Sequence, residues 1–138
     1  MKQFLSQRIV VLALLTTFLC LPAAILAQEA TSLEVGVAAI CRDVVDREPV
    51  DAGISFSASV GQLCCFTKII GAQSPTQITH VWYFGDVERA RVDLPVNSDN
   101  WRTFSSKLIQ PNEIGSWRVS VLDSEGAVLK DLQFEITE

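Results

Sequence analysis

The chain has 138 residues, with 11 basic and 16 acidic side chains and a formal net charge of −5. An acidic chain without a basic run has nothing to displace counterions from a phosphate backbone, which argues against a nucleic-acid partner. A hydrophobic fraction of 49% excludes a disordered chain, and the length suffices for one domain with an apolar core.

The first 27 residues have the pattern of a secretory signal peptide. A start with two basic residues is followed by an apolar run over 9–21, then by Pro22 and by small residues ending at Ala27. We therefore expect cleavage after Ala27 and a periplasmic or secreted protein. The alternative is an uncleaved anchor, because residues 9–27 are nearly long enough to span a bilayer.

Cleavage would leave residues 28–138 as a single domain. The removed segment carries two basic and no acidic residues, so the remaining 111 residues have a net charge of −7. No later stretch is long and apolar enough to span a membrane, and we expect the mature domain not to do so.

After residue 30, apolar residues recur with a period of two, which is typical of strands. The alternation and the turn residues predict seven strands, over 33–41, 62–70, 77–84, 87–94, 101–109, 116–122 and 127–137. A short alternation within 54–60 indicates an edge segment, and residues 95–100 read as a loop. Gly85-Asp86 forms a hairpin turn, and 123–126 suits a type I turn with Gly126 in the left-handed conformation.

The number of strands and the absence of a helical stripe predict an all-β fold. The expected architecture is an immunoglobulin-like or fibronectin-like β-sandwich of about seven strands. An open barrel is the alternative.

The strand that contains His80, Trp82 and Tyr83 is apolar on both faces. Trp82 is expected to pack in the core, although an exposed aromatic face would suit stacking on a sugar or peptide. His80 is the only histidine of the chain, so no metal-ligand spacing is recognisable. We expect it to hydrogen-bond a loop or a neighbouring strand.

The strand from Trp101 to Lys107 is the most polar. A nucleophilic pair of Ser105 or Ser106 with Lys107 is conceivable, but nothing here resembles the strained turn that usually carries such a serine. We therefore predict no catalytic residue. Arg102, Lys107 and Arg118 would bind an anionic group if they converge, and would otherwise pair with nearby carboxylates.

Three cysteines follow the leader. Cys64 and Cys65 are adjacent on a strand and point to opposite faces, so only one of them can meet Cys41 through the core. A Cys41–Cys65 bridge would close a loop of about 25 residues and leave Cys64 as a free thiol. Pairing with another chain, or metal binding by the adjacent pair, are the alternatives.

An ordered set of short motifs extends over most of the chain. It comprises Ala39-Ile40-Cys41-Arg42, Arg47-Glu48-Pro49, Phe56, Cys65-Phe66, His80-Val81-Trp82-Tyr83, Trp101-Arg102-Thr103, Ser105 to Lys107, Gly115-Ser116-Trp117-Arg118-Val119, Asp123 and Gly126. From about Val37 to Ile136 this set resembles the bacterial domain-of-unknown-function family 2914. The resemblance implies an exported or membrane-tethered compact β domain with no established activity. It places Cys41 and Cys65 on family-like positions and Cys64 where an aromatic residue is more usual.

Together these features favour a non-catalytic exported binding or interaction module that needs no cofactor or metal. Its expected partner is an unknown envelope protein or a glycan. The candidate surface combines aromatic and basic residues, namely His80, Trp82, Tyr83, Trp101, Arg102 and Lys107. The first alternative is a small envelope hydrolase or transferase that uses Ser105 or Ser106 with Lys107 or His80. The second is a thiol-redox or metal role for Cys41, Cys64 and Cys65.

Overall fold

The structure, a computed structural model, describes residues 33–138. The predicted signal peptide and its cleavage site lie outside the described residues. The strands are β1 (Glu34–Cys41), β2 (Asp43–Val45), β3 (Glu48–Val50), β4 (Ser55–Ser57), β5 (Gln62–Ile70), β6 (Thr76–Phe84), β7 (Val87–Val96), β8 (Asn100–Leu108), β9 (Gly115–Leu122) and β10 (Val128–Thr137). Within residues 33–138 there is no helix with the length and hydropathy needed to cross a membrane.

Eight of the strands form two sheets. One sheet has the order β1-β5-β8 and the other has the order β4-β10-β9-β6-β7. Neighbours are antiparallel except β4, which runs parallel to β10. In immunoglobulin lettering, the first sheet corresponds to strands A, B and E, and four strands of the second correspond to C′, C, F and G. The predicted immunoglobulin-like sandwich is confirmed.

The core lies between the inner faces of the two sheets. Leu63 and Cys65 enter it from β5, and Trp82, Trp117 and Phe134 enter it from the facing sheet. All five are at most 2% exposed. Alternate residues of each strand point inward, so the period of two in the sequence fixes which side chains meet here.

The hairpin of β2 and β3 was not predicted from the sequence. Its strands have three residues each, and Pro49 interrupts the alternation that would mark a strand. Pro49 is tolerated because a two-stranded ribbon has free edges that need no further donor. The hairpin lies against the outer face of β1 and β5, where Val44 packs on Cys41, Cys64 and Phe66.

The predicted edge segment and turns are present. Residues 55–57 form β4 at the edge of the five-stranded sheet. Gly126 has a φ of 85° and donates to the carbonyl of Asp123. The predicted loop at 95–100 is shorter than expected, because β7 continues through Pro95 to Val96. β7 is itself an edge strand, where the missing N–H of proline breaks no ladder.

Candidate functional site

His80 lies in a buried polar relay between the two sheets. Its Nδ1 is 2.7 Å from the Ser105 hydroxyl, and its Nε2 is 3.2 Å from the Thr67 hydroxyl. Trp82 Nε1 donates to the same Ser105 oxygen at 3.0 Å, and the Thr67 hydroxyl donates to the carbonyl of Thr103. Within residues 33–138, no buried side-chain nitrogen or oxygen lacks a partner. The relay therefore joins β6 to β5 and β8 without an unsatisfied group.

The hydrogen bonds of the relay define the protonation state of His80. Because Thr67 donates to a carbonyl, its oxygen accepts from Nε2–H of His80, and Nδ1 is left to accept from Ser105. Burial lowers the pKa of His80 from 6.5 to about 4, which favours the same neutral form. The expected role of His80, hydrogen bonding to neighbouring strands, agrees with this geometry.

Two residues of the predicted candidate surface lie inside the core. His80 and Trp82 are both fully buried, so a ligand at the surface cannot contact them. Both side chains lie on the face of β6 that points towards the three-stranded sheet, where they bond Ser105. The core position expected for Trp82 is observed, and the aromatic stacking surface at this strand is not.

Trp101 and Arg102 line an open cleft at one end of the three-stranded sheet. The cleft has a volume of about 420 Å³, and its other residues are Arg47, Ser98 and Asn100. Arg47 comes from the tip of the β2–β3 hairpin, and the remaining four come from the start of β8 and the loop before it. We call this set of five residues the basic cleft.

An apolar extension adjoins the basic cleft. A pocket of about 110 Å³ shares Arg47 and Arg102 with the cleft and is also lined by Val44, Phe66 and Phe104. Phe104 is 46% exposed, and Trp101 is half-buried against a second apolar cluster. The guanidinium groups therefore lie beside accessible aromatic surface.

The backbone at Arg47 is conformationally costly. Asp46 and Arg47 have φ values of 52° and 62°. Both central residues of a two-residue hairpin turn need positive φ when the turn is type I′, and asparagine, aspartate and glycine are the residues that favour it. Arginine at such a position carries steric strain. The turn nevertheless presents the Arg47 side chain to the cleft.

A second unfavourable feature lies at the same end of the sheet. Lys68 on β5 is directly opposite Arg102 on β8 in the antiparallel register. Like charges in that position repel each other across the strand pair. Arg102 is offset by Glu48, whose carboxylate is 3.2 Å away, but the two side chains are 38% and 62% exposed. Such an exposed pair is worth about 0–1 kcal/mol, so another anion can displace it at little cost.

Tyr83, Lys107 and Arg118 do not join the basic cleft. Arg118 stacks on Tyr83 at 4.1 Å and pairs with Asp131, on the outer face of the five-stranded sheet. Lys107 lies on the opposite face of β8 from Arg102, because five residues separate them on the strand. Its Nζ donates to the carbonyl of Leu108. The structure thus brings together only Trp101 and Arg102 from the predicted surface.

The serines proposed for a hydrolase have different surroundings. Ser105 is 4% exposed, and its hydroxyl already serves both His80 and Trp82. Ser106 points the other way and contacts the sulfur of Cys64 at 3.5 Å. Within the described residues, neither hydroxyl is hydrogen-bonded to Lys107. A serine–histidine pair is therefore present, but it lies in the core and not in a cleft.

The cysteine arrangement differs from the predicted Cys41–Cys65 bridge. Cys41, Cys64 and Cys65 are all free and buried in the structure. The register of β1 and β5 places Cys41 opposite Cys64, and Cys65 opposite Ile40. Cys41 thus shares the outer face of the sheet with Cys64, whereas Cys65 points into the core. Cys41 and Cys65 lie on opposite faces, which is incompatible with a bridge between them.

A metal site was not expected from the sequence. Among residues 33–138, no group of three or more histidine, cysteine or acidic side chains is placed to hold a metal ion.

Arg47, Ser98 and Asn100 are the cleft residues that were missing from the predicted surface. Ser98 and Asn100 fall in the predicted loop, where Ser98 Oγ donates to the carbonyl of Asn100 and shapes the chain before β8. Asp46 is a turn former between two short apolar stretches. It is the sequence signal that could have indicated a turn at Arg47.

The fold and the cleft together define an immunoglobulin-like sandwich domain with a small basic cleft. Proteins of this class share an architecture and do not share one activity. Residues 75–136, from the residue before β6 to near the end of β10, match a family model described as "Protein of unknown function (DUF2914)". This match confirms the resemblance to that family over these residues. The match does not extend back to Val37, so the cysteines lie outside it. No curated protein matches the chain.

Proposed function

We propose that this chain is a non-catalytic, exported binding module that recognises a ligand with a carboxylate or phosphate group in the basic cleft. The observation that carries the proposal is the convergence of Arg47 and Arg102 on one open cleft beside Trp101. Guanidinium groups match the planar oxygens of carboxylates and the oxygens of phosphates.

The energetics of the cleft support this assignment. The strained Arg47 and the Lys68–Arg102 repulsion both cost stability in the unliganded domain. Strain and local conflict of this kind cluster at binding sites. A bound anion would neutralise the positive charges and displace Glu48 from Arg102.

The apolar extension narrows the ligand class. Phe104 offers exposed aromatic surface next to the two arginines, and the half-buried Trp101 lines the basic cleft. An anionic group attached to an apolar or ring-shaped body would use both parts of the site, with the arginines fixing orientation and the aromatics adding contact area. The partner that carries this group remains the one expected from the sequence, an envelope protein or a glycan.

The non-catalytic part of the proposal rests on the serine geometry. A nucleophile needs a base in hydrogen-bond reach and an accessible face for the substrate. Ser105 has a base within reach but is buried, and Ser106 is exposed but its hydroxyl contacts the Cys64 sulfur and no base among residues 33–138. The basic cleft itself contains no titratable residue besides its two arginines, which cannot act as bases.

Tryptophan fluorescence during titration with inorganic phosphate, and separately with acetate, tests the proposal. Trp82 and Trp117 are buried, so a change on binding reports on Trp101. We expect a saturable change that Arg47→Gln and Arg102→Gln each weaken at least several-fold. Arg91→Gln is the matched control, because Arg91 is an exposed arginine on β7 that pairs with Glu88. A response absent from the unmodified protein, or lost equally in the control, would overturn the proposal.

A further inference from the structure

Cys41 and Cys64 form a pair of thiols that the cleft does not use. They are directly opposite each other on the antiparallel strands β1 and β5. Both are at most 2% exposed, and they form one cluster with Phe66. Val44 of the β2–β3 hairpin packs over this cluster from outside.

The strand geometry suits a bond between the two sulfurs. Directly opposed residues of antiparallel strands have Cα atoms about 4.5–5.5 Å apart and Cβ atoms on the same side. A disulfide spans Cα separations of about 4.4–6.8 Å. Cys41 Sγ is 3.7 Å from the carbonyl oxygen of Cys64, so the side chain already points towards the partner residue. Rotation about the two Cα–Cβ bonds is the movement that the bond requires.

We propose that Cys41 and Cys64 are an oxidisable dithiol that closes into a cross-strand disulfide by exchange with a disulfide oxidant such as oxidised glutathione. One cysteine loses its proton and attacks a glutathione sulfur, and the first glutathione leaves as a thiolate that takes up a proton. The second cysteine loses its proton, attacks the first cysteine's sulfur in the mixed disulfide and releases the second glutathione as a thiolate, which takes up a proton. Two protein thiols are oxidised, and one oxidised glutathione is reduced to two thiols.

The hairpin controls access to this pair. Burial, with a smaller effect from the neighbouring Cys64, raises the pKa of Cys41 to about 11. The closed fold therefore holds little of the thiolate that reacts. Exchange proceeds when the β2–β3 hairpin lifts, and the bond is covered again when Val44 returns. The disulfide proposal does not require the anion proposed for the basic cleft, although the same hairpin contributes Arg47 to the cleft and Val44 to the cover of the thiols.

The test treats the full chain with oxidised glutathione, followed by alkylation under denaturing conditions and peptide mapping with fragmentation between residues 64 and 65. We expect a product lighter by two hydrogen atoms, with Cys41 joined to Cys64 and Cys65 alkylated. Cys20, which lies outside the described residues, is monitored through the separate peptide that contains it.

Two variants and a rate measurement complete the experiment. Cys65→Ala should form the same bond, and Cys64→Ala should not; thermal unfolding of the reduced proteins shows that both are folded. Val44→Ala should accelerate bond formation several-fold, because it loosens the cover. A linkage that includes Cys65, a mixed disulfide that persists, three unreacted thiols, or an unchanged rate in Val44→Ala would overturn the proposal.

Discussion

The imidazole Nδ1 of His80 on one sheet lies 2.7 Å from the hydroxyl of Ser105 on the other. In a cleft this pair would suggest a nucleophile and its base. Here both residues are buried, and the serine also accepts the indole N–H of Trp82. The pair therefore ties the two sheets of the sandwich together.

Replacement of Ser105 by alanine tests this structural role. The change leaves the Trp82 N–H without its acceptor and His80 Nδ1 without its donor, both away from water. An unsatisfied buried polar group costs about 1–3 kcal/mol, so we expect the free energy of unfolding in urea to fall by at least that amount. Ser106→Ala, on the exposed face of the same strand, should change it by less than about 0.5 kcal/mol. Equal effects of the two changes would refute the relay.

Stability should also fall as the pH is lowered from about 6.5 to about 4. Burial holds the pKa of His80 near 4 in the folded protein, whereas the unfolded chain titrates near 6.5. Between these values the unfolded state binds more protons, so acid favours unfolding, and the full difference is about 3 kcal/mol.

Urea unfolding across this pH range measures the effect. Since carboxylates contribute to the same range, the comparison is with His80→Gln, which should lose the part of the slope that belongs to His80. The same pH dependence in both proteins would show that His80 is not the group responsible.

Arg47→Gly should raise stability and weaken anion binding together. Glycine removes the strain of a left-handed arginine, and an Asp-Gly pair is a favoured type I′ turn. We expect a gain of about 0.5–1 kcal/mol in thermal or urea unfolding, which is the relieved strain less the extra conformational entropy that glycine loses on folding, together with a weaker phosphate response of Trp101. Loss of stability would mean that Arg47 makes contacts that outweigh its strain.

The N-terminus of the protein recovered from cells tests the predicted leader. Cleavage after Ala27 predicts a mature chain that begins at Gln28, which intact mass and N-terminal sequencing would detect. A chain that retains residues 1–27 in the membrane fraction would instead support the uncleaved anchor.

Local patterns in the sequence were sufficient to predict most of the fold. Gln62 to Ile70 was predicted with the bounds observed, because Gly61 and Gly71 flank a mostly apolar run of strand length, and both glycines have positive φ. The β2–β3 hairpin was not predicted, because its strands have only three residues each and Pro49 interrupts β3. No period of two is recognisable over so few residues. The hairpin packs on the outer face of β1 and β5, and this tertiary contact is not visible in the local sequence.

The cysteine pairing shows where local pattern stops being informative. Alternation correctly implies that Cys64 and Cys65 face opposite ways. Which of them meets Cys41 depends on the register of β1 against β5, and that register shifts at a bulge between Val35 and Val37. A shift of one residue exchanges the two faces of a strand, so this bulge explains why Cys65 was predicted as the partner of Cys41 in place of Cys64.

The candidate site was only half predictable for a similar reason. Trp101 and Arg102 are adjacent in sequence and were identified together. Arg47 reaches them only because a hairpin distant in the sequence folds over the same sheet. His80 and Trp82 were included in the candidate surface because residue type alone does not reveal which face of β6 points into the core.

The most direct test of the binding proposal is a titration with inorganic phosphate followed by two-dimensional ¹H–¹⁵N NMR. We expect saturable shifts in the backbone of residues 46–48 and 98–102 and in the indole N–H of Trp101. Little change is expected at the indole N–H groups of Trp82 and Trp117, which are bonded within the core. Shifts centred on Arg118 and the outer face of the five-stranded sheet, or no saturable shift at Arg47 and Arg102, would contradict the binding proposal.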